Sequence, residues 1–263
     1  MIVPSAIPAS RRSDRERPSP AQRLAMRERP SSFIVGRQRW SALLFAHWKM
    51  AAQTVQATLP PGLFVDTFEG EAYVGIVPFI MERVRPAWLP PLPWMSWFLE
   101  LNVRTYVHDA AGQPGVWFYS LDCNQPVAVA IARRFFHLPY FHARMSAKRR
   151  DGAIQYHCQR RGESGESWRY DWRPGAHASP AEPGTLEFFL IERYVLFSSD
   201  RERRLHEGRV HHAPYRIHTP TVSQLSAGPA HLAGFDLEGD PASLLGAESV
   251  DVSIFPLKTI ETV

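Results

Sequence analysis

Residues 97–140 read WFLELNVRTYVHDAAGQPGVWFYSLDCNQPVAVAIARRFFHLPY. The pattern predicts two strands joined by a turn, then a helix, then a sharp Leu-Pro-Tyr corner. The first strand alternates. Glu100, Asn102, Arg104 and Tyr106 fall on one face, and Leu101, Val103, Thr105 and Val107 on the other, because successive strand side chains point to opposite sides. Residues 109–114 hold Gly112 and Pro114 and make the turn. Residues 116–121 form a second strand of bulky side chains. Pro126 opens a helix at its favoured first-turn position, and Pro139 ends it. Two opposite charges on one strand face are solvated, paired with each other, or set in a polar cavity. Which of these holds is the functional question.

Outward from this stretch, the chain is mostly strands. Residues 40–48 (WSALLFAHW) are apolar enough for a buried strand, and residues 50–58 read as a helix stopped by Pro60-Pro61-Gly62. Strands are expected at 64–68 and 72–81, with a proline-stiffened loop at 86–93. Residues 143–149 and 154–160 form a hairpin across Asp151-Gly152. Another strand is expected at 168–172, a short helix at 184–191 capped by Thr185, and strands at 194–197, 205–211 and 250–257. Many strands with few helices imply an α+β, mostly antiparallel protein whose sheet is closed or highly curved.

The charge is unevenly spread. Residues 1–30 carry seven Arg and three acids, whereas the remaining chain balances 23 basic against 23 acidic residues. The folded body therefore has no net basic character, and no nucleic-acid partner is expected. Residues 1–32 are rich in Pro, Ser and Arg and read as a disordered arm; residues 33–263 read as one domain. No run of eighteen apolar residues occurs, so no membrane span and no membrane partner are expected. The opening MIVPSAIPAS lacks the basic start of a signal peptide. Cys123 and Cys158 are too few for a disulfide framework or a zinc site, which fits a reduced, cytoplasmic setting. Self-association is left open.

Few motifs carry chemistry. His211 and His212 point to opposite faces of one strand, so they make a poor metal pair, and no metal or cofactor is expected. His47 reads as structural. Glu187 and Glu192 read as helix surface or pocket mouth, and Arg193 as an ion-pair partner. Ser96 and Ser120 sit in no nucleophile elbow, and no phosphate-binding glycine loop occurs.

The runs LLFAHW (43–48), LPPGLFVDTFEGEAYVGIVPF (59–79), ELNVRTYV (100–107), PGVWFYSLD (114–122), LPY (138–140), PGTLEFFLIERY (183–194) and VHHAPY (210–215) resemble the uncharacterised YqjF-like family, domain of unknown function 2071. The resemblance spans about residues 38–260. It implies the fold of the acetoacetate decarboxylase superfamily, a cone-like β-barrel around a central pocket with a few outer helices. In those decarboxylases a lysine in a desolvated pocket forms a Schiff base with a β-keto acid. It follows a helix and a proline corner in the pattern Pro-Lys-Lys. Here the matching corner puts Tyr140 at that lysine and Phe141 at its neighbour, and neither forms an imine. Lys49, Lys148 and Lys258, the only lysines, lie on unrelated elements.

What the resemblance retains is a carboxylate. It matches Glu100 to a pocket glutamate and Arg39 to a pocket arginine on the first strand. Arg104 shares the face of Glu100; the pair reads equally as a clamp for an acid or amide and as a structural ion pair. The expected site is a cavity holding Glu100, Asn102, Arg104 and Tyr140, with Arg39 nearby and Phe79, Trp97 and Phe118 as walls. Its expected occupant is a small oxygenated or acidic molecule. The alternative is a lysine-independent enzyme with Glu100 as general acid/base and Tyr140 as donor on a small carbonyl or hydroxy compound.

Overall fold

The computed structural model describes residues 17–162 and 167–260. In chain order its strands are β1 (Gly36–Met50), β2 (Phe64–Val65), β3 (Ala72–Pro86), β4 (Phe98–His108), β5 (Pro114–Cys123), β6 (Tyr140–Arg150), β7 (Ala153–Arg160), β8 (Trp168–Arg173), β9 (Ser179–Pro180), β10 (Val195–Ser199), β11 (Leu205–His211), β12 (Arg216–His218), β13 (Thr221–Leu225), β14 (Ser243–Ile254) and β15 (Lys258–Ile260). The helices are short: α1 (Pro20–Ala25), α2 (Ala52–Gln56), α3 (Pro126–Phe135), α4 (Leu186–Ile191) and α5 (Gly228–Leu232). The architecture is thus mostly antiparallel sheet with few helices.

Seven strands close on themselves. The order β5-β10-β11-β14-β1-β3-β4 returns to β5, because β4 pairs with both β3 and β5. A second curl, β6-β7-β8-β13, springs from the far end of β5 and folds back over the outside of the ring. Two large hydrophobic cores result, beside a smaller cluster of Leu63, Val107, Val195, Phe197 and Leu205. Inside the ring lie Leu43, Phe45, Val77, Phe79, Met81, Phe98, Leu121 and their neighbours. Between the ring's outer face and the second curl, Leu44, Trp48, Val74, Ile76, Leu101 and Val103 meet Tyr156, Trp168, Tyr170 and Trp172. Strand β4 is therefore buried on both faces, and its alternation sorts side chains between two interiors rather than between core and water.

Bulges give the ring its bend. Between Ser41 and Ala46 the β1–β3 register gains one residue on β1, and Ala42 takes φ 51° there. Near Arg39 the extra residue is on β3, where Arg83 takes φ 53°. The first bulge flips the parity of β1. Trp40 packs with the inner core, but so do Leu43 and Phe45. The predicted hairpin forms across Asp151 and Gly152, both at positive φ as a two-residue turn of this hand requires. The predicted helix caps also appear: Pro126 sits in the first turn of α3, and the Thr185 side chain accepts from the Phe188 amide.

The expectation of a disordered arm over residues 1–32 meets contacts from residue 17 onward; residues 1–16 lie outside the described residues. Ser19 and Gln22 form a reciprocal capping box on α1. Arg23 then grips Asp66 with two bonds of 2.7 Å, and Arg27 donates to Glu192 at 3.0 Å. Both acids are almost fully buried. An ionised carboxylate in such a place needs a cation, and the basic segment supplies two.

Candidate functional site

Alternation and ring closure together put the even-numbered side chains of β4 inside. Phe98, Glu100, Asn102 and Arg104 line a cavity of about 360 Å³ within the ring. Its walls are apolar, with Leu43, Phe45, Val77, Phe79, Met81, Phe118 and Leu121 among them. Tyr140 enters from the other side. The β5–α3–β6 crossover is parallel, with Leu121 opposite Tyr140, while Leu121 also faces Asn102 across β4–β5. That row of neighbours brings the Tyr140 hydroxyl to Glu100, where it donates to Oε2 at 2.5 Å.

Glu100 is 4% exposed. Burial raises its carboxyl pKa to about 7, against the opposing pull of the Tyr140 hydroxyl, the Asn102 amide and the Arg104 charge. Tyr140 is pushed well above its ordinary range, by burial first and by the Glu100 charge second. Its hydroxyl is thus a proton donor, and Glu100 is the group whose charge changes near neutrality.

Arg104 forms no ion pair with Glu100 within 4.0 Å among the described residues. Its guanidinium lies 5.5 Å from the Phe45 ring centroid and 5.8 Å from that of Tyr106. Nε and Nη2, one edge of the fork, are buried without a hydrogen-bond partner among the described residues, as is Asn102 Oδ1. Deeper on the same face, the Tyr106 hydroxyl meets His47 Nε2 at 2.6 Å. Burial, and then the Arg104 charge, hold His47 well below the usual histidine range. Gly75 makes room for this ring, since a Cβ there would lie 2.8 Å from His47 Cδ2.

Of the expected site residues, Glu100, Asn102, Arg104, Tyr140, Phe79 and Phe118 line the one cavity. Two do not. Trp97 is exposed, because the alternation that turns Glu100 inward turns residue 97 outward; Phe98 is the wall instead. Arg39 is also outside. Trp40 faces inward, so Arg39 points away and lies at 3.4 Å from both Glu82 and Asp251. Tyr215 and Arg193 line the cavity too, a place that sequence reasoning gave to neither. Arg193 is the ion-pair partner expected of it, donating to Asp66 at 2.8 Å. Glu192, read as helix surface or pocket mouth, is buried and accepts from Arg27 and from the Tyr194 hydroxyl. The three lysines are exposed, and none lines the cavity.

The DUF2071 model, described as an uncharacterized conserved protein, matches residues 37–251. The chain belongs to the DUF2071 family. A relative within reach of this DUF2071 protein is YqjF of Bacillus subtilis (strain 168), itself described as uncharacterized. The two are 36% identical over 232 residues, which is 87% of this chain and 94% of that one. Among solved structures the fold is similar to an acetoacetate decarboxylase-like enzyme from Sphingomonas wittichii RW1, with TM-score 0.60, 13% identity and coverage of 88% and 95%. It is similar also to acetoacetate decarboxylase from Legionella pneumophila, with TM-score 0.61, 10% identity and coverage of 99% and 98%. The enduracididine biosynthesis enzyme MppR, solved with pyruvate, aligns with TM-score 0.60 at 12% identity, over 89% of this chain and 93% of that one. At these identities the likeness is one of fold. The DUF2071 chain therefore has an acetoacetate decarboxylase-like fold.

Proposed function

We propose that the ring interior binds a small carboxylic acid with an apolar body, without Schiff-base chemistry. Arg104, which lines the cavity and pairs with no carboxylate among the described residues, carries this reading. The Nε–Nη2 edge of Arg160 clasps the Asp122 carboxylate at 2.7 and 2.9 Å elsewhere in the molecule. A desolvated guanidinium without a counter-charge is costly, and a planar carboxylate satisfies it with two charge-assisted bonds. Asn102 Oδ1 and a protonated Glu100 supply an acceptor and a donor for further oxygens of the ligand. The apolar walls suit its remainder. That MppR was solved with pyruvate, a small carboxylate, is in keeping with such a ligand.

Native mass spectrometry of the purified chain, and of R104M, tests the reading. The wild type should retain or take up a small acid, and R104M should lose it. R104M should remain folded, since Arg104 pairs with no carboxylate within 4.0 Å among the described residues and its loss strips no ion pair. The same acid held equally by R104M would overturn the assignment.

A second reading has its own observation. A carboxyl that titrates at about 7, touching a phenol donor, is matched to general acid–base work at neutral pH. On this reading Glu100 moves a proton on a carbonyl or hydroxy acid while Tyr140 donates to the developing oxyanion. Either way, borohydride treatment with a β-keto acid should trap no adduct, because no lysine lines the cavity. A covalent adduct mapped to Lys49, Lys148 or Lys258 would show that imine chemistry had been wrongly set aside.

A further inference from the structure

The loop of residues 86–97 and helix α3 stand side by side. Gln125 Nε2 donates to the Trp94 carbonyl at 3.1 Å, and the Leu99 amide donates to Asn124 Oδ1 at 2.8 Å. The cavity reaches the surface between them, since Pro86 and Met95 from one side and Val127, Ala128 and Ile131 from the other all line it. Around this mouth the protein displays large apolar side chains to solvent. Trp88 is 72% exposed, Trp94 69% and Phe135 63%, and Leu89, Leu92, Trp97, Val127 and Ile131 are exposed too. On α3, Val127, Ile131 and Phe135 recur every four residues, so they form one outward stripe. Scattered apolar residues need no explanation, but a contiguous set around a cavity mouth marks a contact surface.

The charge of this face selects the partner. Residues 83–97 and 124–139 contain Arg83, Arg85, Arg133 and Arg134, and no Asp or Glu. Asp200 and Glu202 share a separate groove with Arg133 and Arg134, and both are held by Arg204; Glu82, beside Arg83, is paired with Arg39. We propose that the face formed by loop 86–97 and the outer stripe of α3 docks onto an anionic lipid surface. Tryptophan and arginine are the side chains suited to the headgroup layer, where the ring sits in the interface and the guanidinium meets phosphate. Four prolines between residues 86 and 93 stiffen the loop, so presenting Trp88 and Leu89 loses little further chain entropy. A second copy of the chain is a poorer occupant. Two-fold contact through this face sets arginines against arginines without a carboxylate between them, and it covers the mouth. The expected lack of a membrane partner rested on the lack of a spanning segment, and peripheral docking needs none.

The test is flotation of the full chain with phosphatidylcholine vesicles and with vesicles that also contain phosphatidylglycerol. The wild type should float with the anionic vesicles and much less with the neutral ones. The W88A/W94A variant should bind about tenfold more weakly or worse, since two exposed indoles leave the interface, with an unchanged melting temperature. No flotation with anionic vesicles overturns the proposal. Binding undiminished in W88A/W94A overturns it as well, because the seven arginines of residues 1–30 then account for adsorption. So does light scattering that shows a dimer split by W94A/I131E, which gives the face to a second copy. All three outcomes are independent of whether the cavity holds an acid.

Discussion

Replacing Arg160 with Met should lower the stability of the protein by about 3–5 kcal/mol, measured by urea denaturation at neutral pH. Arg160 ends β7 in the second curl and reaches back to Asp122 on β5 of the ring, with Nε and Nη2 at 2.7 and 2.9 Å from the two carboxylate oxygens. The side chains are 6% and 0% exposed. The guanidinium also lies 4.0 Å from the Phe141 ring centroid and 5.7 Å from that of Trp168. The variant keeps most of the apolar stem contacts but strips a buried carboxylate of its guanidinium. The size of the loss is thus the cost of taking the guanidinium from a buried charge rather than of opening a cavity. Removing both charges tells the two apart: D122N/R160M should recover a substantial part of the deficit. A loss below about 1 kcal/mol in R160M would mean that other partners or water hold the Asp122 charge, and that this pair does not join the two curls.

What could be read from the sequence was what local rules decide. The alternation from residue 100 to 106, the Asp151-Gly152 turn and the Pro126 and Thr185 helix starts all depend on neighbours a few residues apart, and the structure contains each of them. Two kinds of feature were hidden. One is the bulge at Ala42, which reverses the parity of β1 inside a continuous apolar run. With both faces of β1 buried, WSALLFAHW looks the same whichever way its odd residues point, and nothing in it could check the placing of Arg39 inside, which came from the resemblance alone. Trp97 was a different error, since the strand's own alternation already turned it outward. The other hidden kind is long-range. Arg23 finds Asp66, and Arg27 finds Glu192, across 43 and 165 residues, and nothing local to an Arg-rich arm announces a buried acid elsewhere. Strand β14 began earlier than expected for a similar reason. Gly246 is a weak strand former, but it sits under the His218 ring, where a Cβ would meet Cε1 at 2.2 Å.

The E100Q variant should be more stable than the wild type above pH 7, by about 3 kcal/mol, and should lose that advantage as the pH falls toward 4.5. The sign follows from where the proton sits. The Glu100 carboxyl titrates at about 7 when folded, against 4.5 as its ordinary value. Between those values the unfolded chain has released the proton and the folded chain holds it, so rising pH draws the equilibrium toward the unfolded state. Above about 7 both are ionised and the full cost of a buried carboxylate is present; below 4.5 both are neutral and the contribution vanishes. Glutamine mimics the neutral form, still accepts from the Tyr140 hydroxyl and carries no charge at any pH. The comparison has to be between the two proteins at each pH, because buried histidines act in the opposite direction. Burial lowers His212 to about 4 and His47 well below its ordinary range, so each destabilises the fold as pH falls through the usual histidine value. These terms are shared by E100Q and cancel in the difference. Urea midpoints of the two proteins from pH 4.5 to 8.5 measure it. A difference that stays flat with pH would mean that Glu100 ionises as freely as in water, and the acid–base reading of the cavity would fall with it. A difference that grows with pH, together with weaker acid binding by E100Q at a pH where R104M binds none, would give the carboxyl and the guanidinium separate parts in holding one ligand.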